Sequence, residues 1–391
     1  MSFFNRENGT GNRISILSSG FYVFKCDFLK CIGYEKMYNE RILPWFKENV
    51  ADALFLKKQA NVRWISGFKG ADTCVMVTAN GGFLITDPRY TEQAEIEAPD
   101  FILVNWRAVG GSVIKALASI VKENNIKSLA FESDVLSFGE YSELRKLVDI
   151  ELVPTQGVVE ELRSIKTPQE IEYLRNACEI SCRAFWRILD DIRVGVTEKE
   201  LAAKLSAYMV MEGADTQPYG NILISGPNTS LLHGIPSDRT VHYGDFVLMD
   251  YGCQFNGYMS DMTRTVVMGK ASDKQKEVYG LVKEMIEDSI SIMKAGTVTG
   301  DVYEASVRAI KDGPYYKYHY NGVGHGIGMF VHEVPFIRPG ATAVYKPNVV
   351  TTIEPGLYIP GWGGCRIEDQ IIINEDGNEN LISVSHELIE L

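Results

Sequence analysis

Asn256-Gly257 stands between two β-rich runs, VLMDYGCQF and YMSDMTRTVVMG. That dipeptide is a strong short-range signal for a two-residue hairpin turn. A hairpin closed there has a fixed register: Phe255 pairs with Tyr258, Gly252 with Asp261, and Asp250 with Thr263. Side chains alternate along a strand with period two, so Gly252 shares a face with Asp250. Asp261 faces Gly252. Both carboxylates therefore emerge on one face, as diagonal neighbours roughly 7–8 Å apart at the backbone. Two such side chains can close on metal ions about 3.5–4 Å apart. A bulge in either strand would change this parity.

A second carboxylate pair follows. Glu354 in TIEPG and Glu368 in CRIEDQ flank the Pro/Gly-rich IPGWGG. If residues 360–364 form an odd-length loop, Glu368 faces Gly356, two residues from Glu354 on the same face. Arg366 shares the face of Glu368, placed to hold the ligand carboxylates from behind. His325 sits in GVGHGIG, where glycine at every second position from Gly322 to Gly328 allows close backbone approach and weakens a helical reading. Four carboxylates and one imidazole make a hard ligand set, suited to Mn, Co, Fe or Zn. Four carboxylates exceed the need of one ion, so the count points to two metals with bridging ligands.

The rest of the chain narrows the class. A net charge of −12 argues against a nucleic-acid surface, which needs a basic footprint. No run approaches the ~18 apolar residues of a membrane span. Seven scattered cysteines form no CxxC pair, which suggests neither a disulfide framework nor a thiolate zinc site, and a reducing, cytoplasmic compartment is expected. Cys178 and Cys182 are read as packing residues on one helix.

A chain of 391 residues predicts two domains. Residues 1–36, mildly apolar but interrupted by lysines, read as an extension of uncertain status. MYNERILPWFKENV, from Met37, opens a helix. Residues 37–157 then alternate helix and strand signals: a strand in ADALFL, a hairpin in CVMVTANGGFLITD turning at Asn80-Gly81, helices in YTEQAEIEA and SVIKALASIVKENN, and a strand in SLAFE. This is a smaller α/β unit. Residues 158–391 form the second. Thr167-Pro168-Gln169-Glu170 is a capping box with proline at the first helical position, and its helix should run to about Asp191. Thr197 to Glu200 is another capping box. An echo follows: long helix, RVGVTEKEL and a second helix in the first half; a helix over 273–293, KAGTVTGDV and a second helix in the other. Each half then enters strands carrying candidate ligands.

At these residues the chain resembles the pita-bread metallopeptidase family (M24), most closely its aminopeptidase P and prolidase branch. The matching stretches are SGPNTSLLHGIPSDR, VLMDYGCQFNGYMSDMTRT, GVGHGIGMFVHE, TTIEPGLYIP and GGCRIEDQ. NVRWISGF and ITDPRYTEQA resemble the creatinase-type N-terminal domain. The resemblance implies an α+β protein, with a C-terminal pita-bread catalytic domain behind a smaller α/β creatinase-type domain. It implies Asp250, Asp261, His325, Glu354 and Glu368 as ligands of two divalent ions, manganese first, with cobalt, zinc or iron as alternatives. Asp261 and Glu368 would bridge the ions, Asp250 would serve one, and His325 and Glu354 the other. Glu354 would also move the proton, and His233 and His332 would contact substrate and stabilise the oxyanion.

The implied reaction is hydrolysis of the Xaa-Pro bond at the N-terminus of a proline-containing peptide. Alternatives are a dipeptide-limited prolidase and a non-catalytic pita-bread binding module. The metal-free creatinase type would not need all five ligands, and the initiator-methionine peptidases usually lack the N-terminal unit. Two departures are Cys365 before Arg366, where a small apolar residue is usual, and QPYGNILISG, which lacks an Asp-Thr. The resemblance further implies a homo-oligomer in which Trp64 would edge a neighbour's site. His242, His319 and His386 match no site motif and are expected to pack or face solvent.

Overall fold

The computed structural model describes residues 41–48 and 51–391, and additionally the antiparallel pairing of strands β1 (Arg13–Ile16) and β2 (Tyr22–Lys25). The remainder of the expected extension, and the expected helix start at Met37, lie outside the described residues. The chain divides into two compact units, Met1–Leu162 and Arg163–Leu391. Among the described residues no helix is long and apolar enough to cross a membrane.

The first unit is built on a six-stranded mixed sheet of β3 (Ala53–Leu56), β4 (Cys74–Thr78), β5 (Gly81–Thr86), β6 (Phe101–Asn105), β7 (Ser128–Glu132) and β8 (Glu151–Thr155), in the order β6-β5-β4-β3-β7-β8. Pairs β3–β4 and β4–β5 are antiparallel, and the other three are parallel. Helix Val113–Glu123 starts where the Ser112 hydroxyl accepts from Lys115 N–H, and it buries Ile114, Leu117, Ile120 and Val121. The β4–β5 turn is Ala79-Asn80, one residue earlier than Asn80-Gly81, because Thr78 pairs with Gly81. The Thr78 hydroxyl organises it, accepting from Asn80 N–H at 3.1 Å and donating to Gly81 O at 3.0 Å. Trp64 does not project outward. It is 8 % exposed in helix Gln59–Ser66, with the Arg41 guanidinium 5.5 Å above its ring.

In the second unit three helix starts obey a local capping signal, while helix Thr299–Val307 follows Val298 with no side-chain cap. Thr167 and Thr197 form both hydrogen bonds of their capping boxes, as does Ser272 with Gln275. Helix Pro168–Leu189 ends two residues short of Asp191. It packs with helix Glu198–Met211 in one core, where Leu201, Leu205 and Met209 are fully buried. Each such burial is worth about 1.5–3 kcal/mol. Helices Asp273–Ile292 and Thr299–Val307 anchor the other core through Val278, Val282, Met285 and Val302. The repeated helix order thus appears as two helix pairs, each with its own apolar cluster.

Two larger sheets accompany them. One is β9 (Ile222–Ser225), β10 (Phe246–Tyr251) and β13 (Met262–Val267), ordered β13-β10-β9, with the small pair β11 (Gln254–Phe255) and β12 (Tyr258–Met259) at the hairpin end. The other is β15-β14-β16-β19-β20, from β14 (Gly324–Gly326), β15 (Glu333–Ile337), β16 (Val350–Ile353), β19 (Asp369–Ile373) and β20 (Asn378–Asn380), with β17 (Gly356–Ile359) and β18 (Gly363–Arg366) as a separate hairpin. Along β10, Val247, Met249 and Tyr251 point into the first helical core. Asp250 belongs to the alternate set and faces the other way.

Candidate metal centre

The Asn256-Gly257 hairpin has the register read from its sequence. Phe255 pairs with Tyr258 and Asp250 with Thr263. Asn256 and Gly257 take φ of 48° and 89°, the left-handed pair that a type I′ turn requires. Between the two paired stretches Ser260 N–H donates to Cys253 O at 3.0 Å, so no residue is gained or lost. Gly252 is obligatory here. A Cβ would run into the Ser260 carbonyl and the Tyr219 hydroxyl.

The glutamate pair differs from expectation. Ile359 pairs with Gly363, leaving a three-residue loop over 360–362, so Arg366, not Glu368, lies opposite Gly356. Ile353 pairs with Asp369 on the far side, which sets Glu354 opposite Glu368. Parity survives, because a three-residue and a five-residue loop are both odd. The ladder is interrupted at these two residues. Glu354 N–H donates to Val323 O at 2.8 Å, and Glu368 N–H to Thr263 O at 3.1 Å. Each glutamate is thus tied by its backbone to a third segment, and Glu368 is brought to the aspartate hairpin.

Gly324 and Gly326 carry His325 close to its neighbours. A Cβ at Gly326 would strike the Val334 carbonyl, and one at Gly324 the Thr352 carbonyl. His325 Nδ1 lies 3.0 Å from Gly326 O. A carbonyl only accepts, so Nδ1 carries the proton and leaves the Nε2 lone pair free. Nε2 lies 3.5 Å from Glu354 Oε1 and 3.8 Å from Asp261 Oδ2. One ligand atom each from Asp261, His325 and Glu368 fall within 4.8 Å of one another. Asp250 and Glu354 stand beside this trio. All five line one cavity of about 660 Å³, with His233, His332 and Arg366. The His332 ring stands edge-on to His325, centroids 4.6 Å apart.

Three residues that support the centre alongside Arg366, namely Tyr219, Thr263 and Tyr358, were not singled out from the sequence. The single proton of the Tyr219 hydroxyl is shared between Asp261 Oδ1 at 2.9 Å and Ser260 O at 2.8 Å. The Thr263 hydroxyl donates to Glu368 Oε2 at 2.7 Å. Arg366 pairs with Asp250, donates to Tyr358 Oη at 2.8 Å and reaches Thr263 Oγ1 at 3.1 Å. Tyr358 was legible in principle, because it shares the strand face of Glu354. Tyr219 was not, because it lies in a loop about 40 residues away in sequence from its partner. The three remaining histidines stay clear of the cavity. His386 is nonetheless engaged, with Nε2 2.6 Å from Asp369 Oδ2.

The donor set fits divalent cations. Burial, then Asp250 and Glu354, push the Asp261 carboxyl well above the usual carboxylate range. Burial, then Asp261 and Glu354, do the same to Glu368. Glu354 is raised by burial against the pull of His325 and Arg366. Four carboxylates thus face one guanidinium in a partly desolvated site, and their mutual repulsion calls for further positive charge. Glu368 Oε1 is buried with no hydrogen-bond partner, although its sister oxygen is satisfied. A buried acceptor left open among oxygen donors, beside an imidazole with its lone pair turned inward, is the arrangement a metal ion completes.

Comparison with known proteins matches residues 172–375 to the profile of "Metallopeptidase family M24" and residues 39–165 to "Creatinase/Prolidase N-terminal domain". A Pyrococcus horikoshii protein named Xaa-Pro dipeptidase is 34% identical over 90% of this chain and 98% of its own length. Among solved structures, an Xaa-Pro dipeptidase from Bacillus anthracis superposes with a TM-score of 0.85 at 37% identity, covering 92% of this chain and 99% of that one. An X-Pro aminopeptidase from Thermotoga maritima gives 0.84 at 33% identity, covering 90% and 99%.

Proposed function

We propose that this chain, which belongs to metallopeptidase family M24, is a metal-dependent exopeptidase that cleaves the bond between an N-terminal residue and a following proline. Its fold class is the expected one, a pita-bread domain behind a creatinase-type domain. The observation that carries the site assignment is the convergence of Asp261, His325 and Glu368, drawn from three separate segments of the chain, within 4.8 Å. In this reading Asp250, Asp261, His325, Glu354 and Glu368 hold two divalent ions. Such ions supply Lewis acidity toward the scissile carbonyl and lower the pKa of a water. Glu354, open to the cavity, takes the proton from the attacking water and returns it to the departing imide nitrogen. His332 and His233 donate hydrogen bonds toward the carbonyl oxygen as it gains charge. Arg366 pairs with Asp250 and holds it in place. Proline offers no N–H, so the bond is recognised by ring shape and carbonyl contacts.

On substrate length, the dipeptidase names of the Pyrococcus and Bacillus relatives favour an Xaa-Pro dipeptide over the longer peptides first expected. The reading also includes manganese as the preferred ion, a homo-oligomer and cytoplasmic residence. Chelated enzyme, reconstituted separately with Mn, Co, Zn and Fe, should be assayed on Xaa-Pro dipeptides and Xaa-Pro-Yaa tripeptides. Turnover of dipeptides alone supports prolidase, and turnover of tripeptides supports the aminopeptidase. No turnover of either with any ion sinks the peptidase reading.

A further inference from the structure

Directly after His332 in the chain lies a buried ion cluster that the reaction itself does not use. Glu333 follows His332 directly, and its side chain is 2 % exposed. Its Oε1 is 2.5 Å from Arg163 Nη2, and its Oε2 is 3.3 Å from Lys166 Nζ, with both cations buried as well. Oε1 also accepts from Phe330 N–H at 3.0 Å. The turn closes on this carboxylate so tightly that a Cβ at Gly328 would lie 2.7 Å from Oε2. Gly328 O in turn accepts from Met259 N–H at 2.8 Å, which ties the turn to the aspartate hairpin. The segment carrying the cations is itself pinned, Lys166 N–H donating to Asn348 O at 2.8 Å.

His332 projects from this turn into the cavity and faces solvent. Its ring meets His325 edge-on, and otherwise its place is set by its backbone. The backbone on its C-terminal side is the residue gripped by two buried cations. Two buried cations on one carboxylate, 167 and 170 residues away in sequence, are costly to assemble and weak as a source of net stability. They are effective as a fixed point.

We propose that Glu333, clamped by Arg163 and Lys166, is a positioning residue: it locks the turn 328–333 and thereby sets the His332 imidazole where substrate is held. This rests on the reading of His332 as a substrate-contacting group. The test is a double-mutant cycle on the metal-loaded enzyme with an Xaa-Pro substrate, combining Glu333→Gln with His332→Ala. Misplacing a reacting or contacting group by about 1 Å costs up to ~100-fold. E333Q is therefore expected to lower kcat/KM by about 10- to 100-fold with His332 present, and less than about 2-fold in the H332A background.

Lys166→Met, which leaves the Arg163–Glu333 pair in place, serves if E333Q does not fold. Its smaller loss should likewise vanish in H332A. In metal-free protein at one fixed pH, the His332 ring-proton signals, assigned by their loss in H332A, should move in E333Q or K166M as the ring shifts against His325. If H332A lowers activity but Glu333 and Lys166 variants cost the same factor with and without His332, or leave its ring signals in place, the positioning role is wrong and the His332 reading stands. If H332A leaves kcat/KM unchanged, the His332 reading fails and the inference with it.

Discussion

Glu354 differs from its fellow carboxylates in exposure. Its side chain is 24 % exposed, against 8 % for Asp261, while Glu368 is fully buried. A group that relays protons must meet both water and leaving nitrogen, so the most open carboxylate beside the histidine suits that task. Glu354→Ala should lower kcat by about 10²- to 10⁴-fold in assays with metal content checked for each sample. Wild-type turnover in that variant would exclude the role.

Glu333 makes a prediction about acid. Burial raises its carboxyl, but Lys166, Arg163 and the Phe330 N–H together outweigh it and hold the carboxyl below the usual 4.5. The folded-state pKa is depressed, so its stabilising contribution is complete above that ordinary value and is lost as pH falls through the lower folded one. Thermal melts between about pH 5 and pH 3 should therefore drop more steeply in wild type than in E333Q. Parallel curves would remove Glu333 from the acid limb. None of these partners is visible in the sequence near Glu333, because local pattern carries no information about contacts some 170 residues apart.

Elements were legible where one local rule decides them. Capping boxes at Thr167 and Thr197 announced their helices, and Asn256-Gly257 fixed the aspartate register, because two left-handed residues leave few ways to turn. The glutamate hairpin was legible only in parity. Pro/Gly-rich IPGWGG permits several loop lengths, and the three-residue one moved the register by two. The Ala79-Asn80 turn was missed because a threonine hydroxyl, rather than a glycine, organises it. Thr167→Ala, losing the bond to Glu170 N–H at 3.2 Å, should cost about 1 kcal/mol in denaturant unfolding with kcat/KM unchanged. Gly326→Ala should behave differently. Its methyl meets the Val334 carbonyl, so the strand beside His325 must move and both stability and metal retention should fall, measurable by melting and by bound-metal analysis.

At the scale of the molecule, four carboxylates around one guanidinium make the centre a site of stored repulsion until cations arrive. Chelation should therefore lower the melting temperature. Free ion at about 100 times its dissociation constant should restore about 2.7 kcal/mol. A melting temperature indifferent to chelator would contradict the cation-binding role of these residues.

The interrupted ladder bears on portability. Neither Glu354 nor Glu368 keeps its backbone within its own hairpin: one N–H answers to Val323, the other to Thr263. An engineer grafting this centre into another scaffold cannot lift out the short loop hairpin alone. The smallest transferable piece is both hairpins together with the segment that carries Val323 and His325. Any host must supply both backbone anchors before the first metal is added.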